Sequence, residues 1–136
     1  MLACVNSTAI LGIDAYIVAV EVFLSPGMPS FNIVGLPDPS VRESRDRVVA
    51  AIKNSNFEFP LRRITVNLAP ADVKKEGPAF DLPIAVGILA ATGQLSLDSL
   101  QGFVIVGELS LDGGVRPVSG VLPMAVTAKS QGKTNM

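Results

Sequence analysis

Histidine and tryptophan are absent from this 136-residue sequence, and cysteine and tyrosine occur once each. Without histidine there is no imidazole base, no imidazole metal ligand and no histidine-containing triad. A zinc site would have to rest on one thiol and carboxylates, a poor donor set for that ion, so no metal site is expected. The single Cys4 excludes an internal disulfide framework and fits a reducing compartment, which sets the expectation of a cytoplasmic protein. Lying in an apolar segment, Cys4 reads as a small core residue rather than a reactive thiol. Long apolar runs are missing too. The longest uncharged stretches, residues 22–37 and 82–97, have 16 residues each and are broken by proline or glycine, too short for a bilayer. The apolar start, residues 1–13, has no basic segment before it and reads as strand rather than signal peptide.

What is present is an aliphatic core. Hydrophobic residues make up 49 % of the chain, charged residues 17 % and aromatics only 5 %, a composition that folds as one Val/Ile/Leu/Ala-packed domain over residues 1–136. The net charge of −1 gives no whole-molecule attraction to a polyanion. Its distribution is uneven, because eight of the eleven basic residues fall between Arg42 and Lys75 with only four of the twelve acidic ones. That segment is basic and the remainder acidic.

Periodicity gives the element order. Residues 8–12 and 16–24 read as two strands around a Gly12/Asp14 turn, with Tyr16, Val18, Val20 and Val22 on one face. Residues 31–35 read as a third strand. Asp38-Pro39 is a helix-start signal, an N-cap carboxylate followed by proline where no amide donor is needed. The helix that follows, to about Asn54, buries Val41, Val48 and Ile52. It pairs Arg42 with Asp46 and Glu43 with Arg47 on its wet side. Residues 63–68 alternate as a half-buried strand, 80–92 form a buried helix closed by Gly93, and 103–106 and 109–111 form two further strands. Asp112-Gly113-Gly114 is a turn, and residues 121–130 read as a last helix. The order suits a two-layer α/β (α+β) domain, a mixed sheet with helices packed on it.

Two motifs invite a chemical reading. Gly132-Lys133-Thr134 ends like a phosphate-binding loop, but the glycine needed five residues earlier is Thr127, so a polar turn at a helix end is the better reading. The loop Lys74-Lys75-Glu76-Gly77-Pro78-Ala79-Phe80-Asp81 is more specific. It resembles the nucleophile loop of Lon-type proteases, and Val41-Arg42-Glu43-Ser44, Gly107-Glu108-Leu109-Ser110-Leu111-Asp112-Gly113 and Val115-Arg116-Pro117-Val118-Ser119-Gly120 agree with that family in order and spacing. The resemblance implies a Lon-protease-like, ribosomal protein S5 domain 2-like fold. It also places Ala79 where the family has its catalytic serine and Leu122 where it has its lysine, a pair that can neither attack nor take a proton. Asp81 reads either as a ligand or acid at that site or, in the plainer case, as a helix N-cap or first-turn carboxylate.

Gly35-Leu36-Pro37-Asp38, the Glu76-Gly77-Pro78-Ala79-Phe80-Asp81-Leu82-Pro83-Ile84-Ala85 run and Gly120-Val121-Leu122-Pro123 resemble more closely the N-terminal domain of the Mg-chelatase-like AAA+ ATPases, the competence protein ComM (YifB) group. This resemblance implies a non-catalytic fragment without cofactor of its own. It also implies an AAA+ module in cis that binds ATP and Mg, a homo-hexameric full-length ATPase, and a role in DNA branch migration during natural transformation. Under it the possible nucleic-acid contacts are Arg42, Arg45, Arg62, Arg63, Lys74 and Lys75. The rival expectations are a Lon-like serine peptidase with a substitute nucleophile and a purely structural ring-forming module.

Overall fold

The computed structural model describes residues 1–133 and 135–136; Thr134, the end of the phosphate-loop-like triplet, lies outside the described residues. Strand β1 (Leu2–Leu11) and strand β2 (Asp14–Ser25) form an antiparallel hairpin. Its turn passes through Gly12 at φ 66°, a backbone angle that glycine adopts without steric cost. Strand β3 (Ser30–Val34) leads into helices α1 (Pro39–Arg42) and α2 (Ser44–Asn54), and strand β4 (Arg63–Ala69) returns parallel to β3 and antiparallel to β2. The sheet order is β1-β2-β4-β3. A 3₁₀ turn (Pro78–Phe80) runs into helix α3 (Asp81–Ala91), then come the two-residue strands β5 (Glu108–Leu109) and β6 (Val115–Arg116), and helix α4 (Val121–Ser130) follows. The mixed sheet and its packed helices match the expected two-layer α+β class.

The alternation in sequence decides which sheet face is dry. Val18, Val20 and Val22 on β2, and Ile64, Val66 and Leu68 on β4, are fully buried, as are Val48 of α2 and Ile84 and Ile88 of α3, and all belong to one apolar cluster. Burying each such side chain contributes about 1.5–3 kcal/mol. Helix α3, apolar on nearly all sides, is the one most enclosed. Gly87 sets its depth: a Cβ there would lie 2.7 Å from Val22 Cγ2, so only glycine lets the helix sit this close to β2. Proline 83 falls in the first turn of α3, where no backbone hydrogen bond is lost.

Helix α4 packs against β1 and β2, with Met124 and Ala128 buried outside the main cluster. Its N-cap Gly120 abuts Ile10, and Thr127 Oγ1 donates to Ala15 O at 3.1 Å. Ile10 alternates away from Val5 and Ala9, so α4 lies on the second face of the sheet, over the hairpin end only.

Three expectations change. The helix after Asp38 is not continuous: it is interrupted at Glu43, and no ion pair joins Arg42 to Asp46 among the described residues. Among the described residues, 103–106 form no ladder. Phe103 makes an isolated bridge to Asn135 and Ile105 N donates to Asn6 O, so this apolar run lies along the edge of β1 without regular pairing. Cys4 is exposed rather than in the core, because its alternation puts it on the second face.

Candidate functional site

A cavity of about 690 Å³ opens where three loops converge beside the end of β1. Its walls come from the turn before α1 (Asp38, Ser40), the loop before α3 (Glu76 to Phe80), and Glu108 with the 117–119 segment. The first loop is set by sterics. At Gly35, φ 104°, an added Cβ would stand 2.3 Å from Leu68 O, and Leu36 follows in the left-handed region at φ 56°. Asp38 then caps α1 as its sequence predicts: its Oδ1 accepts from Val41 N at 2.8 Å and from Ser40 Oγ at 2.9 Å.

The loop before α3 is docked on this turn by backbone pairing. Asp38 N donates to Lys75 O and Lys75 N to Leu36 O, both at 2.9 Å, and Gly77 N donates to Ser40 Oγ at 3.1 Å. On the other side, Gly107 N donates to Ala79 O at 2.9 Å and Leu82 N to Gly107 O at 3.0 Å. Ala79 is therefore fixed on the wall between two hydrogen-bonded neighbours and presents a methyl group. Leu122 does not line the cavity and is 76 % exposed.

Asp81 lies below the wall, fully buried, and is the first-turn carboxylate of α3 that its sequence suggests, rather than a ligand-facing acid or an N-cap. Its carboxylate accepts from Arg47 Nε at 2.6 Å, Arg47 Nη2 at 3.1 Å, Leu109 N at 3.0 Å and Ser44 Oγ. The bond from Asp81 holds the Arg47 guanidinium above its ordinary pKa, against the effect of burial. Arg47 Nη2 also donates to Ser40 O at 3.1 Å, so one ion pair ties α1, α2, α3 and β5 together. Sequence reading placed Arg47 on the wet side with Glu43. That contact exists at 3.6 Å, but the shorter bond goes inward. Its signal, an arginine within reach of a first-turn aspartate, depends on the crossing of α2 and α3 and is not local.

The six basic residues do not form one patch. Lys75 is fully buried and its ammonium donates to Pro70 O, so it is removed from the set of surface contacts. Burial holds its pKa below the ordinary value of 10.5, with Asp72 acting in the opposite direction. Lys74 is exposed and lies 4.0 Å from Glu76. Arg62 and Arg63 are exposed at the start of β4, about 20 Å along that strand from the loop carrying Lys74. Arg42 and Arg45 stand at the α1–α2 corner, with Arg45 reaching Phe31 O at 3.5 Å.

The turn that ends α4 does not offer its amides to a phosphate. Gly132 N donates to Lys129 O and Lys133 N to Ala128 O, so amides that a phosphate loop would aim at phosphate close α4 instead. No cluster of three or more metal-ligating side chains occurs among the described residues. None of the helices described is long and apolar enough to cross a membrane.

Residues 20–136 match the family described as subunit ChlI of Mg-chelatase. The chain belongs to this family. It is 52 % identical over 128 residues to competence protein ComM of Haemophilus influenzae, covering 94 % of this chain and 25 % of that protein. It is 48 % identical over 132 residues to protein YifB of Salmonella typhimurium, covering 97 % and 26 %. A weaker similarity, 26 % identity over 136 residues covering 93 % and 24 %, relates it to Lon protease 2 of Bacillus subtilis. The chain thus spans about a quarter of the length of these curated relatives.

Proposed function

We propose that this chain is a non-catalytic domain of a ComM-like AAA+ ATPase, serving assembly and DNA handling by a full-length hexamer in natural transformation. In this reading ATP and Mg are held by an AAA+ module joined in cis, and the protein works in the cytoplasm. The observation that carries the non-catalytic part is the cavity wall. Ala79 supplies a methyl group to it, and no lysine or arginine is among the lining residues. A Ser–Lys dyad needs a hydroxyl and an amine of depressed pKa in contact. Lys75, whose pKa is lowered by burial, has its ammonium turned to Pro70 O, and it is not among the residues lining the cavity.

DNA contact through Arg42, Arg45, Arg62, Arg63 and Lys74 is supported by their exposure, although they stand in separate groups. Separate groups suit a ring in which several copies each add a few phosphate contacts and gain by avidity. The test has two arms. The purified chain should not turn over unfolded protein; turnover lost on mutating one serine or threonine would establish the peptidase reading instead. Fluorescence anisotropy with DNA should show weak binding that falls linearly on a log–log salt plot, by about 0.7–0.9 per phosphate contacted. Absence of binding at low salt would leave a purely structural module.

A further inference from the structure

We infer that the cavity receives the Arg62–Arg63 corner of a neighbouring copy, so that copies of the chain join head to tail. The inference rests on the assembly reading and gives it an interface. The two ends of the sheet carry opposite charge. At one end the cavity is lined by Asp38, Glu76 and Glu108 and by no lysine or arginine. These carboxylates are incompletely matched. Asp38 uses Oδ1 to cap α1, while Glu76 and Glu108 have only loose contacts, at 4.0 Å and 3.6 Å, with the largely exposed Lys74 and Arg116. Beside them the lining is apolar, from Ala79, Pro117, Val118 and Met124. At the other end Arg62 and Arg63 open β4, both exposed and neither in an ion pair among the described residues. Leu61, just before them, is 83 % exposed. Met28, 87 % exposed, stands near them, because Ser30 N donates to Arg62 O.

Strand β4 holds these two surfaces apart. It spans about 20 Å from Arg63 to Ala69, and the loop carrying Glu76 leaves from its far end, so the two cannot meet within one copy. Between copies they match twice over. Planar guanidinium groups suit carboxylates, and the arginine stems with Leu61 suit the apolar lining. Any basic ligand could meet the carboxylates. A second copy is favoured because the same chain bears both halves, an acidic and apolar hollow and a basic and apolar corner. Since the halves differ, the contact is heterologous: each copy gives one end and receives at the other, which is how rings are built. Arg62 and Arg63 then face protein, and phosphate contact in the ring is left to Arg42, Arg45 and Lys74.

The test reverses each surface in turn and follows self-association of the whole chain by sedimentation velocity at low salt, over rising protein concentration. The natural chain should associate, and less so as salt is added. Arg62→Glu/Arg63→Glu and Glu76→Lys/Glu108→Lys should each weaken association at least about 10-fold. An equimolar mixture of the two variants should associate again, because natural corner meets natural hollow and reversed corner meets reversed hollow. A contact elsewhere would not recover in this way. Circular dichroism checks the fold of each variant, and Glu76→Lys alone, at an exposed position, replaces the double variant if that one does not fold. A chain that stays monomeric at its highest soluble concentration overturns the head-to-tail contact. So does association untouched by either pair of reversals, or a mixture that fails to recover. Anisotropy with DNA on the same samples separates the two readings: a monomer that binds DNA loses only the interface, and one that binds none loses DNA handling as well.

Discussion

Two buried charges lie on either side of the loop that walls the cavity, and they are treated in opposite ways. Asp81 is enclosed by four donors, two of them from one guanidinium, so its charge is matched and its oxygens are satisfied. Lys75 has a carbonyl acceptor at Pro70 and no carboxylate within ion-pair distance among the described residues. The first is a cross-brace whose loss exposes the chain to a large penalty. The second is a charge whose burial is poorly compensated, and the fold tolerates it because the same residue's backbone makes two bonds to the Leu36–Asp38 turn. A buried charge strengthens a fold only to the extent that its partners are as well placed as it is.

Asp81→Ala should give the largest effect of all, a loss of about 3–5 kcal/mol in urea denaturation, because Leu109 N and Ser44 Oγ are left without an acceptor and Arg47 without its partner. A loss below about 1 kcal/mol would show that the brace is ornamental. Arg47→Lys keeps the charge but not the two-pronged geometry, and we expect a smaller loss of about 1–2 kcal/mol by the same measurement. Lys75→Met should be neutral or stabilising by up to about 2 kcal/mol, since it replaces an undercompensated amine by an apolar chain of similar length.

The pH dependence sharpens this contrast. The Lys75 pKa is depressed in the folded chain, so between that value and 10.5 the unfolded chain binds more protons. Stability from this group is therefore present above 10.5 and is lost as pH falls through the folded value. Denaturation curves over that alkaline window should rise less steeply with pH for Lys75→Met than for the natural chain; identical slopes would mean that Lys75 does not titrate as a buried amine. The smallest effect belongs to Lys74→Ala, whose exposed contact with Glu76 should change stability by less than about 0.5 kcal/mol.

These two residues also mark the limit of what the sequence discloses. Local signals were legible: Asp38-Pro39 as a helix start, Gly12 as the hairpin turn, the alternating faces of β2 and β4, and residues 121–130 as a helix, found as Val121–Ser130. So were the loop with Ala79 and its family resemblance, and the cavity does form there. Lys75 reads in sequence as a possible nucleic-acid contact because nothing within ten residues of it predicts that the loop will lie against Leu36 and Pro37. Residues 103–106 carry strand composition, but a strand needs a partner, and among the described residues the bonds found to Asn6 and Asn135 are isolated ones. Alternation along β2 turns Phe23 away from Val22, yet how far that face is covered depends on elements distant in sequence.

The strand order has a consequence for the time course of synthesis. Because β4 lies between β2 and β3, the sheet cannot be assembled in the order in which it emerges from a ribosome. The β1–β2 hairpin can close as soon as Ser25 is out, and it carries half of the dry face with it. Strand β3 then waits without a hydrogen-bonding neighbour until β4 inserts, and the Gly35 turn, which is shaped by Leu68, cannot be fixed before then. The nascent chain is thus an ordered hairpin trailed by an unpaired strand and helix. Emergence of β4 is the event that completes the sheet, and the dry face is covered only when α3, which follows it, has emerged as well.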